Sequence, residues 1–347
     1  MVSEAADQAI GMPLVVSGPW TREAREQAIR RETRDAFIGY FRKAIKTRNW
    51  TPWDDFPLDE MREFGDRLSE DTVTIIEAYL GVEDYVGDYV QDGLNILQTR
   101  ERRGLQIAWG NEELKHAEAW ELVLLHSGRR TPEQLERYRD KVAEHTWTMR
   151  EDHPGLDTPL GVACYSMVQE RATYFNYDEM RKRIRAEYGL PEKSTEFERV
   201  RGHQVGAAHA FKTVAIDEIA HHGIFLELVQ IYIRYLPNEA LDTLLKTLNG
   251  FTMPALYLIP NASELAAAME RTLLHTPRKQ IRSVNNPILD SLGFDNKRAL
   301  ERAVQQAKLL PPGLGPEHIA IGRSGEFVVS TTPGPAPSDA AGVAAGD

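Results

Sequence analysis

Apolar residues recur every three or four positions over most of the chain, from Thr21 to about Leu310. This spacing puts the apolar side chains on one face of an α-helix. Proline and glycine separate the helical segments, as at Pro154-Gly155. Thr131-Pro132 is typical of a helix start, with the threonine as N-cap and the proline in the first turn. The pattern predicts an all-α bundle.

Both ends of the chain depart from this pattern. Ile319–Ile321 and Phe327–Val329 flank a Gly-Arg-Ser-Gly turn, which predicts a small C-terminal β-hairpin. Residues 1–18 are small, polar and aperiodic, and residues 331–347 are mostly Pro, Ala, Gly, Ser and Asp. We expect both terminal segments to be disordered. Residues 19–330 would then form the folded domain.

Four helical segments each carry a glutamate in the middle of an apolar stripe. An ionised carboxylate in a core is costly unless it is paired, protonated or bound to a metal. The glutamates are therefore candidates for a shared buried site. The stripes are Ile76, Tyr79, Leu80, Glu83, Val86, Val90 and Leu94; Leu105, Trp109, Glu113, His116, Trp120 and Val123; Ala163, Met167, Glu170, Tyr174 and Tyr177; and Phe211, Val214, Glu218, His221, Phe225 and Leu228.

Two of these glutamates belong to Glu-x-x-His motifs, Glu113 with His116 and Glu218 with His221. Residues three apart share one helix face, so each pair can reach one metal ion. Two such motifs, with one Glu from each of two further helices, are the ligand set of ferritin-like di-iron or di-manganese bundles. The sequence therefore predicts a ferritin-like helical bundle with additional helices around two metal ions. Four glutamates would roughly balance the charge of these two ions.

The roles of residues beside the motifs are less specifically indicated by the sequence. His222 points about 100° away from His221 on a helix, which favours packing or support over metal ligation. Asp217 could hydrogen-bond a histidine ligand on a facing helix. An ordinary surface carboxylate is an equally good interpretation of Asp217. Trp109 and Trp120 are more typical of a core than of electron carriers.

Composition narrows the class of protein. The net charge of −11 argues against nucleic-acid binding, which favours a basic surface. No apolar run approaches the roughly 20 residues of a membrane helix, and the N-terminus lacks a basic, apolar signal. We therefore expect a cytoplasmic protein without membrane insertion. The single cysteine, Cys164, excludes a disulfide framework within the chain and cysteine-based zinc or iron–sulfur sites.

Several motifs resemble those of the soluble acyl-[acyl carrier protein] desaturases of plants and bacteria. Residues 169–173, Gln-Glu-Arg-Ala-Thr, are similar to that family's QERAT segment. Residues 112–116 (Glu-Glu-Leu-Lys-His) and 217–221 (Asp-Glu-Ile-Ala-His) resemble its two histidine motifs. Val82-Glu83-Asp84 is similar to its first ligand helix, and Trp50-Thr51-Pro52 to an N-terminal Trp-x-Pro element. The resemblance covers roughly residues 30–330.

The resemblance implies a homodimer with two Fe²⁺ ions per subunit. It implies that reduced ferredoxin supplies electrons and that dioxygen is reduced to water while a saturated acyl chain, bound to acyl carrier protein, gains a cis double bond. Thr173 matches the threonine that hydrogen-bonds the oxygen intermediate, and Trp50 matches the tryptophan thought to relay electrons. The implied metal ligands are Glu83, Glu113, His116, Glu170, Glu218 and His221.

A basic cluster near the N-terminus is a candidate docking patch for the acidic carrier protein. A plain solvated helix face explains the same cluster equally well. Its members are Arg42, Lys43, Lys46 and Arg48.

Three departures from the plant enzymes bear on the substrate. His222 stands where they have a glutamate, the stretch from Glu170 to Glu218 is longer, and Asp92-Gly93 falls where an apolar channel lining is expected. An alternative is therefore a desaturase-like di-iron oxygenase or hydroxylase acting on another carrier-bound or free substrate. An iron-storage protein and a helical interaction module without metal are further alternatives.

Overall fold

The computed structural model describes residues 19–330, and the predicted disordered segments 1–18 and 331–347 lie outside the described residues. The fold is all-α apart from one small hairpin, as predicted. The helices are α1 Arg22–Thr47, α2 Pro52–Asp55, α3 Leu58–Phe64, α4 Glu70–Glu83, α5 Val86–Ile96, α6 Arg100–His126, α7 Pro132–Val142, α8 Met149–Asp152, α9 Pro159–Glu187, α10 Glu196–Arg201, α11 Ala207–Tyr235, α12 Pro237–Gly250, α13 Ala262–Thr272, α14 Pro277–Lys279, α15 Asn286–Ser291 and α16 Lys297–Ala307.

Serine and threonine side chains cap the N-termini of several helices. Thr21, Ser69 and Thr158 accept backbone N–H groups at the starts of α1, α4 and α9. The predicted start at Thr131 is confirmed, and it forms a capping box with Gln134. These caps satisfy N–H groups that have no partner inside the helix.

The helices pack around a core in which α9 and α11 make the most extensive contact. Helix α6 packs against α4, α5 and α11, while α1 crosses both α6 and α11. Helix α12 packs on the outside of α9, and α16 packs on α12. Helix α13 packs on α4. The four helices that carry the candidate glutamates, α4, α6, α9 and α11, thus meet in the interior.

The C-terminal hairpin is confirmed, with both strands at the predicted residues. Strand β1, Ile319–Ile321, pairs antiparallel with β2, Phe327–Val329, and Ile319 lies opposite Val329. Gly325 in its turn has φ of +88°, a conformation that glycine adopts readily. Short helical turns at Gly65–Arg67 and Pro316–His318 (3₁₀) and at Gln280–Asn285 (π) complete the elements.

The first apolar stripe does not form one helix, and that part of the prediction is wrong. Helix α4 ends at Glu83, and α5 begins only at Val86. Asp84 and Tyr85 turn the chain between the two helices, with ψ of 5° at Tyr85. The glutamate therefore lies at the last residue of a helix rather than in its middle.

The Asp92-Gly93 departure has a structural role in α5. The Asp92 carboxylate accepts a hydrogen bond from the Met149 backbone N–H at 2.8 Å, and Asp88 accepts one from Trp147 N–H at 2.8 Å. A Cβ atom at Gly93 would overlap the Gln106 amide, so the glycine permits the close approach of α5 and α6. Asp88 and Asp92 therefore hold the neighbouring segment at Trp147 and Met149 against α5.

Candidate metal centre

The structure brings all six predicted ligands together inside the bundle. Two overlapping groups form, and within each the ligand atoms lie within 4.8 Å of one another. Every member is buried. The groups are Glu83, Glu113, His116 and Glu218, and Glu113, Glu170, Glu218 and His221.

Glu113 and Glu218 belong to both groups and turn one oxygen toward each histidine. Glu113 Oε2 lies 3.2 Å from His116 Nδ1, while its Oε1 lies 2.8 Å from His221 Nδ1. Glu218 Oε1 lies 3.2 Å from His116 Nδ1, and its Oε2 lies 3.9 Å from His221 Nδ1. This is the arrangement expected of carboxylates that bridge two metal ions. Glu83 and Glu170 then remain as single ligands at either end.

Unsatisfied polar atoms converge on the middle of the site. Three carboxylate oxygens, Glu113 Oε1, Glu170 Oε2 and Glu218 Oε1, and the His221 Nδ1 atom have no well-oriented hydrogen bond within residues 19–330. Buried polar atoms are normally paired, and each unpaired one requires an explanation. Two cations at the centre would satisfy all of these atoms.

The electrostatics of the centre also favour cations. Burial and the negative charge of Glu113 raise the pKa of Glu83 to about 8. Burial raises the pKa of Glu218 well above its ordinary value, and Glu113 adds to the shift. Burial alone would lower the pKa of His116, but the Glu113 and Glu218 carboxylates raise it well above its ordinary value. Crowded carboxylates of this kind match the oxygen-rich ligand set that iron or manganese binds.

The Nε2 atom of each histidine points away from the centre and contacts a further carboxylate, Asp217 for His116 and Glu112 for His221. These two side chains are called the outer carboxylates. His116 Nε2 lies 3.4 Å from Asp217 Oδ2, and His221 Nε2 lies 3.2 Å from Glu112 Oε2. Such contacts orient a histidine ligand and raise its basicity. Asp217 thus has the contact expected if it supports a ligand. The matching role of Glu112 was not predicted.

The outer carboxylate of Asp217 also contacts Trp50. The indole Nε1 donates to Asp217 Oδ2 at 2.8 Å, and the ring lies nearly parallel to the His116 ring, with centroids 6.2 Å apart. Trp50 is half-buried, and Lys115 Nζ lies 4.4 Å from its ring centroid. Trp50, Asp217 and His116 therefore form a continuous chain of contacts toward the surface.

On the Glu112 side, the outer carboxylate lies in a closed cluster. The Tyr40 hydroxyl donates to Glu112 Oε2, and Arg48 Nε donates to Glu112 Oε1 at 3.1 Å. Arg48 Nε also lies 3.5 Å from Asp217 Oδ1, so one guanidinium contacts both outer carboxylates. Burial alone would raise the pKa of Glu112, but the His221 imidazole, Tyr40 and Arg48 hold it at about 2.

Arg48 therefore does not belong to a docking patch, and that prediction is wrong. Its residue exposure is 4% because its side chain turns inward from the end of α1 to the two carboxylates. Arg42, Lys43 and Lys46 are exposed on α1. A count of basic residues in the sequence does not distinguish these two environments.

The single glutamates also have partners that the sequence did not reveal. The Tyr177 hydroxyl donates to Glu83 Oε1, and Trp109 Nε1 donates to Glu170 Oε1 at 3.0 Å. Trp109 is thus a core residue that also fixes a candidate ligand. His222 hydrogen-bonds through Nδ1 to the Met167 backbone oxygen at 2.9 Å, and it is in neither ligand group.

A cavity of about 290 Å³ opens beside the centre and reaches Glu83, Glu113 and Glu218. Thr173 lines it and donates its hydroxyl to the Gln169 backbone oxygen at 3.0 Å. Much of the remaining wall is apolar. It includes Val82, Phe251, Met253, Leu256, Leu265 and Met269.

Fold and site together define a helical-bundle protein with a buried Glu/His centre suited to metal ions, next to a largely apolar cavity. Residues 102–288, just over half of the chain, match the family model described as fatty acid desaturase. The chain belongs to this family. Five of the six candidate ligands lie within the match, and Glu83 precedes it. A search of curated proteins found none that matches the chain.

Within residues 19–330, no helix has both the length and the hydropathy needed to cross a bilayer.

Proposed function

We propose that this protein is an acyl-[acyl carrier protein] desaturase that inserts a cis double bond into a saturated fatty acyl chain. One observation carries the proposal: two Glu/His groups share Glu113 and Glu218, and these shared carboxylates border a largely apolar cavity. The family match and the QERAT, EExxH and DExxH motifs support it.

Two iron ions held by the six side chains would supply the oxidising power that an unactivated methylene requires, drawn from dioxygen. The protein fixes the ligands: Asp217 and Glu112 orient the histidines, and Tyr177 and Trp109 orient the end glutamates. The apolar wall excludes water and holds one carbon–carbon bond beside Glu83 and Glu218. Thr173 offers a hydroxyl at the same wall.

Reduced ferredoxin is the proposed electron donor. The contacts from Trp50 through Asp217 to His116 provide a short route from a half-buried indole to the centre. Trp50 Nε1 and His116 Nε2 both contact the same Asp217 oxygen. An electron arriving at Trp50 would reach a ligand through one intervening carboxylate.

Acyl carrier protein and a second copy of the chain are the proposed partners. The exposed Arg42, Lys43 and Lys46 supply positive charge for the acidic carrier. Exposed apolar side chains on α1 and α6 support a homodimer, with Ile45 and Ile107 each 58% exposed.

Product analysis tests the reaction. The iron-loaded protein is incubated with reduced ferredoxin, ¹⁸O₂ and carriers bearing saturated chains of graded length, and the released acids are analysed by mass spectrometry. Desaturation removes a pair of hydrogens and adds no ¹⁸O. Incorporation of ¹⁸O would instead support the hydroxylase alternative, and a cage-sized assembly on gel filtration would support iron storage.

A further inference from the structure

One wall of the cavity is polar although the proposed substrate is a hydrocarbon chain. Gln169, Thr173 and Asn176 follow one another at spacings of four and three on α9, so they share one helix face, and all three line the cavity. A wall that served only to bury methylenes would be apolar, because an unpaired polar group in contact with hydrocarbon is costly.

Asn176 is the most informative of the three. Its exposure is 4%, its Oδ1 atom has no hydrogen-bond partner, and neither end of its amide bonds to any residue in 19–330. Buried side-chain amides are normally satisfied by protein or ordered water. Asn176 lies six positions after Glu170 on α9, which corresponds to about 9 Å along the helix axis.

Gln280 brings a second amide to the same cavity from a different element. It begins the π-helical turn Gln280–Asn285, and its Nε2 donates to Asn285 Oδ1 at 3.2 Å. Its Oε1 is buried and has no partner among the described residues. Arg171 Nε donates to the Ser283 backbone oxygen at 3.2 Å and holds the turn against α9. Such π-helical turns occur frequently at functional sites.

We propose that Asn176 and Gln280 form a polar subsite that binds a hydroxyl or carbonyl oxygen of the acyl substrate, near the carbons that react. This inference rests on the proposed function and deepens it, because it specifies where the substrate carries oxygen. An amide both donates and accepts, so it fits either group. The oxygen has two possible sources, a hydroxyl within the chain or the thioester carbonyl that joins the chain to its carrier.

Binding measurements with the iron-loaded protein distinguish these sources. The probes are acyl carrier protein loaded with a hexadecanoyl thioester, with the corresponding thioether that lacks the carbonyl, and with a series of monohydroxylated hexadecanoyl thioesters. If the chain carries the oxygen, one hydroxylated isomer binds about tenfold more tightly than the plain thioester. If the carbonyl is bound, the thioether binds about tenfold more weakly.

Asn176→Leu is expected to abolish whichever preference the wild-type protein shows. Gln280→Leu, on a separate element, should reduce the same preference and keeps the test valid if the first variant does not fold. Met269→Leu is the matched control on the apolar part of the wall, and it should keep the preference. Affinities are measured by titration calorimetry.

Two results would overturn the inference. Either the wild-type protein distinguishes none of the probes, or the preference persists in Asn176→Leu and Gln280→Leu. Wild-type protein that binds none of these carriers would contradict the proposed function itself, and this inference with it.

Discussion

The two halves of the candidate metal centre share their bridging glutamates but differ in their surroundings. The His116 half borders the cavity through Glu83 and contacts the half-buried Trp50 through Asp217. The His221 half has Glu170, which does not line the cavity, and its outer carboxylate ends in the closed cluster of Tyr40 and Arg48. The same motif, repeated on α6 and α11, thus lies beside the cavity and Trp50 in one half and among buried side chains in the other.

This difference teaches that the motif alone does not assign a role. The Glu-x-x-His spacing determines which side chains can reach a metal, and helix packing determines what else reaches it. The cavity and the half-buried Trp50 both adjoin the His116 half, while the outer carboxylate of the His221 half lies among the buried side chains of Tyr40 and Arg48. Variants that act on one half or on both can separate these roles.

The largest effect is expected from a shared glutamate. Glu113→Ala removes a candidate ligand from both halves, so iron content should fall from about two ions per chain to nearly none. Glu118→Ala, on the same helix but outside both ligand groups, is the matched control and should retain both ions. Metal analysis of purified protein measures both, and two ions retained in Glu113→Ala would refute the bridging assignment.

Changing one histidine should affect one half. His116→Ala and His221→Ala are each expected to leave about one ion per chain, because the ligand sets overlap only at the glutamates. The ion lost from His116→Ala is the one beside the cavity, so this variant should change the affinity for an acyl carrier more than His221→Ala does. Equal effects of the two variants on carrier affinity would contradict the difference in access.

Removing the guanidinium that both outer carboxylates share should destabilise the fold. Arg48→Met removes the guanidinium from the buried Glu112 and Asp217 carboxylates and leaves Lys115 Nζ, 3.7 Å from Asp217, as the remaining lysine or arginine contact within residues 19–330. The free energy of unfolding should therefore fall by about 3–5 kcal/mol. Arg42→Met changes an exposed arginine on the same helix and should alter it by no more than about 0.5 kcal/mol. Denaturant titration of the two variants measures the difference. Comparable stability of both would mean that Arg48 is not buried between the carboxylates.

Substitutions of the outer carboxylates should have the smallest effects on metal binding. Their effects on reduction of the centre should differ between the two halves. Glu112→Gln and Asp217→Asn are each expected to weaken metal affinity about 10–100-fold, because each orients one histidine. Only Asp217→Asn should also slow reduction of the iron-loaded centre by ferredoxin, since Glu112 does not contact Trp50. Stopped-flow reduction measures this step, and equal slowing in both variants would remove Trp50 from the electron route.

The sequence predicted the six converging side chains because their chemistry and spacing are local. Glu113 and His116 share a helix face whatever the rest of the chain does, and a glutamate in an apolar stripe implies a buried partner. The hairpin was predicted for the same reason, since its strands are separated only by a short glycine-containing turn.

The remaining parts depend on contacts between distant segments. Glu112 is buried by Tyr40, which lies 72 positions earlier, and nothing in the local pattern around Glu112 reveals this. A signal was available in the equivalent positions of Glu112 and Asp217, each directly before a Glu-x-x-His motif. The break after Glu83 was missed because Asp84 and Tyr85 are not strong helix breakers.

Anomalous X-ray diffraction from crystals of the iron-loaded protein tests the central claim most directly. Two iron peaks should appear about 3.5–4 Å apart, a spacing typical of two-metal sites. One should lie among Glu83, His116 and the two shared glutamates, and the other among Glu170, His221 and the same pair. A single peak, or iron bound away from Glu113 and Glu218, would contradict the shared-carboxylate centre.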